Sequence, residues 1–492
     1  MTAYGSSGEI QMKKLSMTDA FMLAVETATQ RLEMASVSIL SPSNGTEQIT
    51  RQLLHDRIDE RIHLAPILRR KLVNVPFGLD FPYWADEPSP DLNHHVREVR
   101  APSPGDDRAL AELVTEIVSQ PLDRTRPLWE LYLITGLEGG RRAIMFKLHH
   151  AAVDGISGLR AHSVLFDQPL PTPLRHPAMP AGELVPSNWD LLTKGLSSLP
   201  DQVLRAVRGG ARSVPYLDHL MPFRVVPGAG TLSGTVRRVA RLSRIAAGGD
   251  GLDTPKLRVP GTRCDRPPLG QRRWAFTRVP LDEVKRLKAH YGVTVNDVIV
   301  ATTAGAVRDW FTELGELPDE PLVALVPMSV RSADATEDGN HVQVMLVELR
   351  TDELDPESML RRTHQTLRLA KARQHAVPLS AIEGANDLVL PALFLRASRA
   401  ASRLAGLTGA TANAVISNVP GPSGPVAVFG ERVEAIYPVG GVVEGFGFSV
   451  IVFSYDGELN VGFVVDASAD ADPWQLAHAY DRSHRELLKL VR

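Results

Sequence analysis

Residues 141–160 read RRAIMFKLHHAAVDGISGLR. A short apolar run closes on two adjacent histidines, His149 and His150. Asp154 and Gly155 follow within five positions, and helical periodicity then resumes. In an ideal strand successive side chains point to opposite faces. Ile144, Phe146, Leu148 and His150 therefore share one face, and Met145, Lys147 and His149 the other. The two imidazoles should not converge on one atom. Two-histidine metal sites place their pair at i, i+4 on one helix face, so no metal is expected. One histidine is left to meet a substrate while the other supports the loop from behind.

Asp154 has two compatible explanations. It stands where the chain should leave the strand for a helix at 156–166, and Asp is a preferred N-cap contributing ~1 kcal/mol. Gly155 then eases the turn. On this reading the stretch is a capped turn with a satisfied core histidine. The other reading is a reaction centre. An imidazole near its unperturbed pKa of ~6.5 can take a proton from a hydroxyl at neutral pH, with a carboxylate nearby to fix the loop. Taken alone, the residues leave both open.

The rest of the chain narrows the choice. At 492 residues it exceeds one ordinary core, so two domains with a connector are expected. Hydrophobic residues make up 43% and charged residues 23%, and the net charge is −3, a globular composition with no global attraction to nucleic acid. Cys264 is the only cysteine, which rules out an intramolecular disulfide framework and a Cys-rich metal site. The start, MTAYGSSGEIQMKKLS, lacks the apolar core of a secretory signal. No apolar run approaches the ~20 residues of a membrane helix. A cytoplasmic protein is expected, with any membrane contact peripheral and no protein partner evident.

From Leu15 to Phe166 helical periodicities alternate with short β-branched runs. Strands are expected at 35–40, 130–135 and 142–150, and an amphipathic helix at 106–119. Proline-dense sequence after Phe166 reads as a connector, with a helix at about 189–213. The second half restarts the pattern: a long helix from Thr294, strands at 321–330, 341–349, 413–418, 447–455 and 459–466, and helices at 356–374 and 389–405. The division expected is an N-terminal domain (1–185), a connector (186–270) and a C-terminal domain (271–492) of mixed α/β (α+β) layers. Between Gln202 and Gly249 eight arginines face Asp218 alone among acids. That stretch is either a solvated connector or a surface that attracts anionic headgroups.

No G-x-S-x-G elbow, P-loop or Rossmann glycine fingerprint occurs, and Cys264 has no adjacent histidine. A histidine base without a protein nucleophile remains, which favours direct attack by a substrate hydroxyl on an activated acyl group.

His149-His150-Ala151-Ala152-Val153-Asp154-Gly155 matches the HHxxxDG pattern of CoA-dependent acyltransferases and peptide-synthetase condensation domains. PLDRTRPLWE (121–130), ND (296–297), VPMSVR (326–331) and SNVPGP (417–422) resemble blocks of the bacterial wax ester synthase/diacylglycerol acyltransferase family. LSMTDAFMLAVE (15–26) and HHVREV (94–99) extend the resemblance over nearly the whole chain. It implies two chloramphenicol-acetyltransferase-like domains with an active-site tunnel between them. Acyl-CoA would be a substrate rather than a bound cofactor, and a lipid alcohol such as diacylglycerol the acceptor, met at a membrane or lipid-droplet surface.

Carried onto this sequence, the resemblance makes His150 the general base, His149 a supporting residue and Asp154 a loop brace beside Gly155. Asn296, Asp297, Ser417 and Asn418 become candidate substrate contacts. Asp297 also fits a plain capping box, Thr294-Val-Asn-Asp, and Ser417–Asn418 a tight strand exit. The stretch around Cys264 departs from the Leu-Asn pair expected before Arg272 and Arg273. Two other functions fit the same residues: condensation-type transfer from a carrier protein, and a catalytically idle lipid-binding protein.

Overall fold

A computed structural model describes residues 12–491 except 43–47, 154–157, 159–160, 169–185, 221–222, 224–228, 243–256, 330–341, 379–380, 382–383, 385–389, 409–410 and 423. Its strands, in chain order, are β1 (Lys13–Lys14), β2 (Glu33–Leu40), β3 (Arg70–Val73), β4 (Tyr83–Asp86), β5 (Val96–Arg100), β6 (Trp129–Thr135), β7 (Arg142–His149), β8 (Arg272–Pro280), β9 (Val323–Ser329), β10 (Val342–Glu348), β11 (Ala412–Pro420), β12 (Ala427–Val428), β13 (Glu431–Val439), β14 (Phe446–Tyr455) and β15 (Glu458–Asp466). Two six-stranded sheets carry the fold, ordered β12-β13-β2-β7-β6-β5 and β10-β9-β11-β14-β15-β8.

β7 is central to the first sheet and buried along its whole length. Its apolar pattern is continuous because both faces are covered. Ile144, Phe146 and Leu148 pack with Leu54, Ile58, Trp129 and Phe166. Ala143 and Met145, on the other face, meet Leu110, Val114 and Ile117 of α1 (Asp107–Val118). Asp106 caps that helix by accepting from the Ala109 N–H at 2.8 Å, and its apolar residues recur at helical spacing. Lys147 lies on this inner face, fully buried, its Nζ donating to the carbonyls of Ile117 (3.0 Å) and Gln120 (2.7 Å). Truncating Phe146, 1% exposed, to alanine should cost about 3–5 kcal/mol.

The second sheet wraps a helix buried on nearly every side, α2 (Val295–Glu313). Arg308 near its end donates to Thr351 O (2.7 Å), and Thr351 Oγ1 accepts from Leu322 just before β9 (3.1 Å). The start of α2 therefore lies toward the far ends of β9 and β11, where Ser417 and Asn418 stand.

Strand pairing crosses the boundary expected at residue 271. β12 and β13 leave the second half and complete the first sheet, with Val439 opposite Ala35 and Val433 opposite Leu40. Ala435, Tyr437 and Val439 pack with Trp274, Phe276 and Val464 of the other sheet, so the halves share a core. Arg272, 4% exposed, fixes the junction by donating to the carbonyls of Glu33 (2.6 Å), Arg31 (2.7 Å) and Gly440 (3.3 Å).

Candidate active site

β7 stops at His149, one residue earlier than the alternation pattern suggests. Glu33 of β2 pairs opposite His149, and the His150 N–H donates to Leu32 O (3.0 Å). His150–Ala152 then forms a single 3-10 turn, closed by the Val153 N–H on His150 O (3.4 Å). His149 itself is still extended (φ −82°, ψ 134°), so the chain enters the turn at His150 directly from the strand.

The two histidines occupy different environments. His149 is 1% exposed. Its Nδ1 accepts from the Ala151 N–H (3.0 Å), which leaves the ring proton on Nε2, 3.3 Å from the Glu26 carboxylate. Glu26 also pairs with Arg124, whose guanidinium donates to Leu23 O as well (3.2 Å). Burial pushes the Glu26 carboxyl up, but His149 and Arg124 together outweigh it and bring the group down to about 2. His150 is only half-buried.

Glu26 and Arg124 were not among the residues singled out from sequence. Glu26 ends the LSMTDAFMLAVE block and Arg124 lies within PLDRTRPLWE, so two blocks noted for their resemblance meet on the back of His149. Trp129, from the second block, is 1% exposed and donates to Leu68 O (2.8 Å). It stacks on His95 with centroids 4.3 Å apart and packs edge-on against Phe146 of β7.

An apolar cluster lies against the turn after His150. Ala151 and Ala152 pack with Met17, Ala20 and Leu23 of α3, the N-terminal helix Met17–Val25, and with Phe81, Phe223 and Phe394. Phe394 joins segments distant in sequence, its ring centroid 6.3 Å from Phe21, 5.9 Å from Phe81 and 6.2 Å from Phe223.

The remaining sequence-derived residues distribute as follows. Asp154 and Gly155 lie outside the described residues. Asp297, 2% exposed, completes the capping box with Thr294 (N–H to Oδ2 2.8 Å; Asp297 N–H to Thr294 Oγ1 3.2 Å) and meets His364 Nδ1 at 2.8 Å. Asn296 is half-buried in the first turn of α2. Ser417 pairs with Ile451, so the two side chains share a face of the second sheet. A Cβ added at Gly440, just past β13, would come within 2.6 Å of Ile451 Cδ1. Ser417 therefore belongs to the face turned toward the end of the first sheet where β7 finishes. Asn418 is exposed on the opposite face. Cys264 is buried, and its thiol is pushed up to about 12 by burial, with Asp265 adding to the effect.

A family model described as the wax ester synthase/diacylglycerol acyltransferase catalytic domain matches residues 15–299, and the corresponding C-terminal domain matches residues 338–488. A putative diacylglycerol O-acyltransferase of Mycobacterium tuberculosis is 32% identical across 98% of this chain and 92% of its own. A probable diacylglycerol O-acyltransferase of the same species is 30% identical across 98% and 97%. Among solved structures, the wax ester synthase/diacylglycerol acyltransferase from Marinobacter aquaeolei VT8 superposes with a TM-score of 0.65 at 23% identity, covering 98% of this chain and all of that one. The first condensation domain of the CDA synthetase gives 0.53 at 17% identity, over 98% and 96% of the two chains. These two structural likenesses establish the fold.

Proposed function

The chain belongs to the wax ester synthase/diacylglycerol acyltransferase family and is an acyltransferase of that type, and from that premise we propose that it esterifies diacylglycerol with acyl-CoA to give triacylglycerol. Long-chain alcohols are a second acceptor class and would give wax esters. The observation that carries the mechanistic reading is the division of labour at the end of β7. His149 is sealed behind the strand on Glu26, while His150 is half-buried in the turn beyond it.

In the proposed reaction His150 takes the proton from the acceptor hydroxyl as that oxygen forms a bond to the thioester carbonyl carbon. The tetrahedral adduct collapses with cleavage of the carbon–sulfur bond, and the imidazolium returns the proton to the departing thiolate, releasing CoA. General acid–base catalysis of this kind contributes ~10²–10⁴-fold, and holding both substrates in line supplies more. Glu26 and Arg124 orient His149, and His149 braces the turn through the Ala151 N–H. Asp154 and Gly155 are proposed to hold the loop beyond. Ser417 and Asn296 are proposed to orient the acceptor or stabilise the oxyanion, with Asn418 and Asp297 supporting them. The apolar cluster around Phe394 favours a lipid acceptor.

Diacylglycerol does not leave a bilayer readily, so the reaction is proposed to run at a membrane or lipid-droplet surface. Purified protein given labelled palmitoyl-CoA with diolein, monoolein or hexadecanol should form triacylglycerol from diolein as the main product. A strong preference for a carrier-bound thioester over the CoA thioester would move the reading to condensation-type transfer. Lipid binding without product from any donor would leave a non-catalytic lipid-binding protein.

A further inference from the structure

The helix Asn188–Ser213 is built inside out. Its inward side carries Leu191, Gly195, Gln202, Gly209 and Ser213, mostly small or polar, while large apolar residues face outward: Trp189 is 70% exposed, Leu196 50%, Val203 48% and Val207 69%. At about 100° per residue the positions 189, 196, 203 and 207 fall within one narrow stripe. Exposed Lys194, Arg208 and Arg212 outnumber exposed Asp190 and Asp201 on one flank of that stripe, between it and the buried side. Lys194 Nζ also lies 5.6 Å from the Tyr83 ring centroid. Burial against the rest of the chain therefore does not account for the apolar stripe.

A second exposed apolar residue stands beside this helix. Phe77 is 74% exposed and held at a φ of 57°, a backbone region costly for a bulky residue. Its loop grips the helix: a Cβ on Gly195 would lie 3.0 Å from Leu79 Cβ, and Gln202 Nε2 donates to Leu79 O (3.2 Å). The same loop reaches the helix Pro391–Thr408, where Arg396 donates to Phe77 O (3.3 Å) and Leu393 is 63% exposed. Phe394, the next residue, turns inward to the cluster packed against Ala151 and Ala152 beside His150.

We propose that the outward stripe of helix Asn188–Ser213, with Phe77 and Leu393 beside it, is the surface that docks this enzyme on an anionic lipid interface. Trp189, Val203, Val207 and Phe77 enter the headgroup boundary, and Lys194, Arg208, Arg212 and Arg396 meet lipid phosphates. None of the helices among the described residues is long and apolar enough to cross a membrane, which suits a helix lying in the interface plane. The chain's charge of −3 makes a local basic flank, not global attraction, the source of the electrostatic pull. Docking here sets the inner face of helix Pro391–Thr408 between the lipid and the turn that carries His150. The purpose of the surface rests on the lipid acceptor proposed above; the surface itself does not.

The test is vesicle co-flotation with the full chain, using phosphatidylcholine with and without phosphatidylglycerol. Binding should require phosphatidylglycerol and weaken in high salt. Val203→Asp with Val207→Asp should abolish it. Arg208→Gln and Arg212→Gln should each lower partitioning roughly fivefold at low salt, from about 1 kcal/mol per basic residue near an anionic surface. Trp189 is the exposed tryptophan, so Trp189→Phe should remove any vesicle-induced blue shift in emission. Each variant should keep transfer to a short-chain, water-dispersed acceptor, which separates failure of docking from failure of the acyltransferase reading. Undiminished flotation of the Val203→Asp/Val207→Asp protein would overturn the proposal. So would a lipid-independent dimer that the same variant dissociates, because the stripe would then be a contact between copies.

Discussion

The Nε2 of His149 lies 3.3 Å from the Glu26 carboxylate, and side chains only 1% and 5% exposed make this contact behind the strand that delivers His150. Arg124 completes the cluster from the segment before β6. The contact fixes His149 in one tautomer, so that its Nδ1 is left to hold the Ala151 N–H and with it the turn.

In the proposed mechanism Glu26 is a positioning residue. Glu26→Gln keeps the shape but not the charge opposite Arg124, and should lower stability by about 2 kcal/mol; Glu26→Ala should cost about 3–5 kcal/mol. Turnover should fall with little change in the KM for acyl-CoA. Glu26→Asp should recover part of it, a result that loss of packing alone would not give. The carboxyl sits at about 2 when folded, below its ordinary value near 4.5. Its contribution is therefore present above pH 4.5 and is lost as pH falls toward 2. Denaturant midpoints measured across that range check the sign.

His95 gives a second pH dependence at milder acidity. Burial holds its imidazole down at about 4, against 6.5 when unfolded, although Nδ1 donates to Trp129 O at 2.7 Å. His162, set against Phe146 and Ser36, is likewise lowered to about 4 by desolvation. The unfolded chain takes up these protons first. Stability present above pH 6.5 should therefore decline steadily between pH 6.5 and 4. His95→Phe, which keeps an aromatic ring against Trp129, should make that decline shallower. Thermal unfolding midpoints at several pH values report the slope.

Arg272 ties the second sheet to the start of β2. Burial lowers its guanidinium to about 10, which still leaves it charged at neutral pH. Arg272→Met strands three buried carbonyls and removes the cation beside Glu33, and should cost about 3–5 kcal/mol. Arg272→Lys should recover only part of this, since an ammonium lacks the planar fork that spans these acceptors. Urea unfolding of the three proteins measures the difference.

Much of this arrangement is legible in the sequence. The apolar run into His149, the capping box at Thr294 and Asp297, and the 3.6-residue pattern of 107–118 all encode local structure, and local structure is what periodicity reports. The different surroundings of His149 and His150 follow from strand alternation up to His149; that the strand ends there and a 3-10 turn begins at His150 is not marked in the sequence. Glu26 and Arg124 were invisible as a pair because 98 residues separate them and only the tertiary fold brings them together. ERVEAIYPV (431–439) is not among the strands expected from sequence, and nothing local announces that it will form β13 and add to β2 of the first sheet. The outward apolar stripe of helix Asn188–Ser213 shows the converse, since its periodicity is plain while the side that faces out is set by the loop around Phe77.

In the proposed mechanism His150, not His149, moves the proton. Single-turnover transfer from palmitoyl-CoA to diolein by His150→Ala, with circular dichroism and the unfolding midpoint measured on the same sample, tests it most directly. The rate should fall by ~10²–10⁴-fold in a protein that is folded as the parent is. A folded His150→Ala protein that turns over at the parent rate would contradict it.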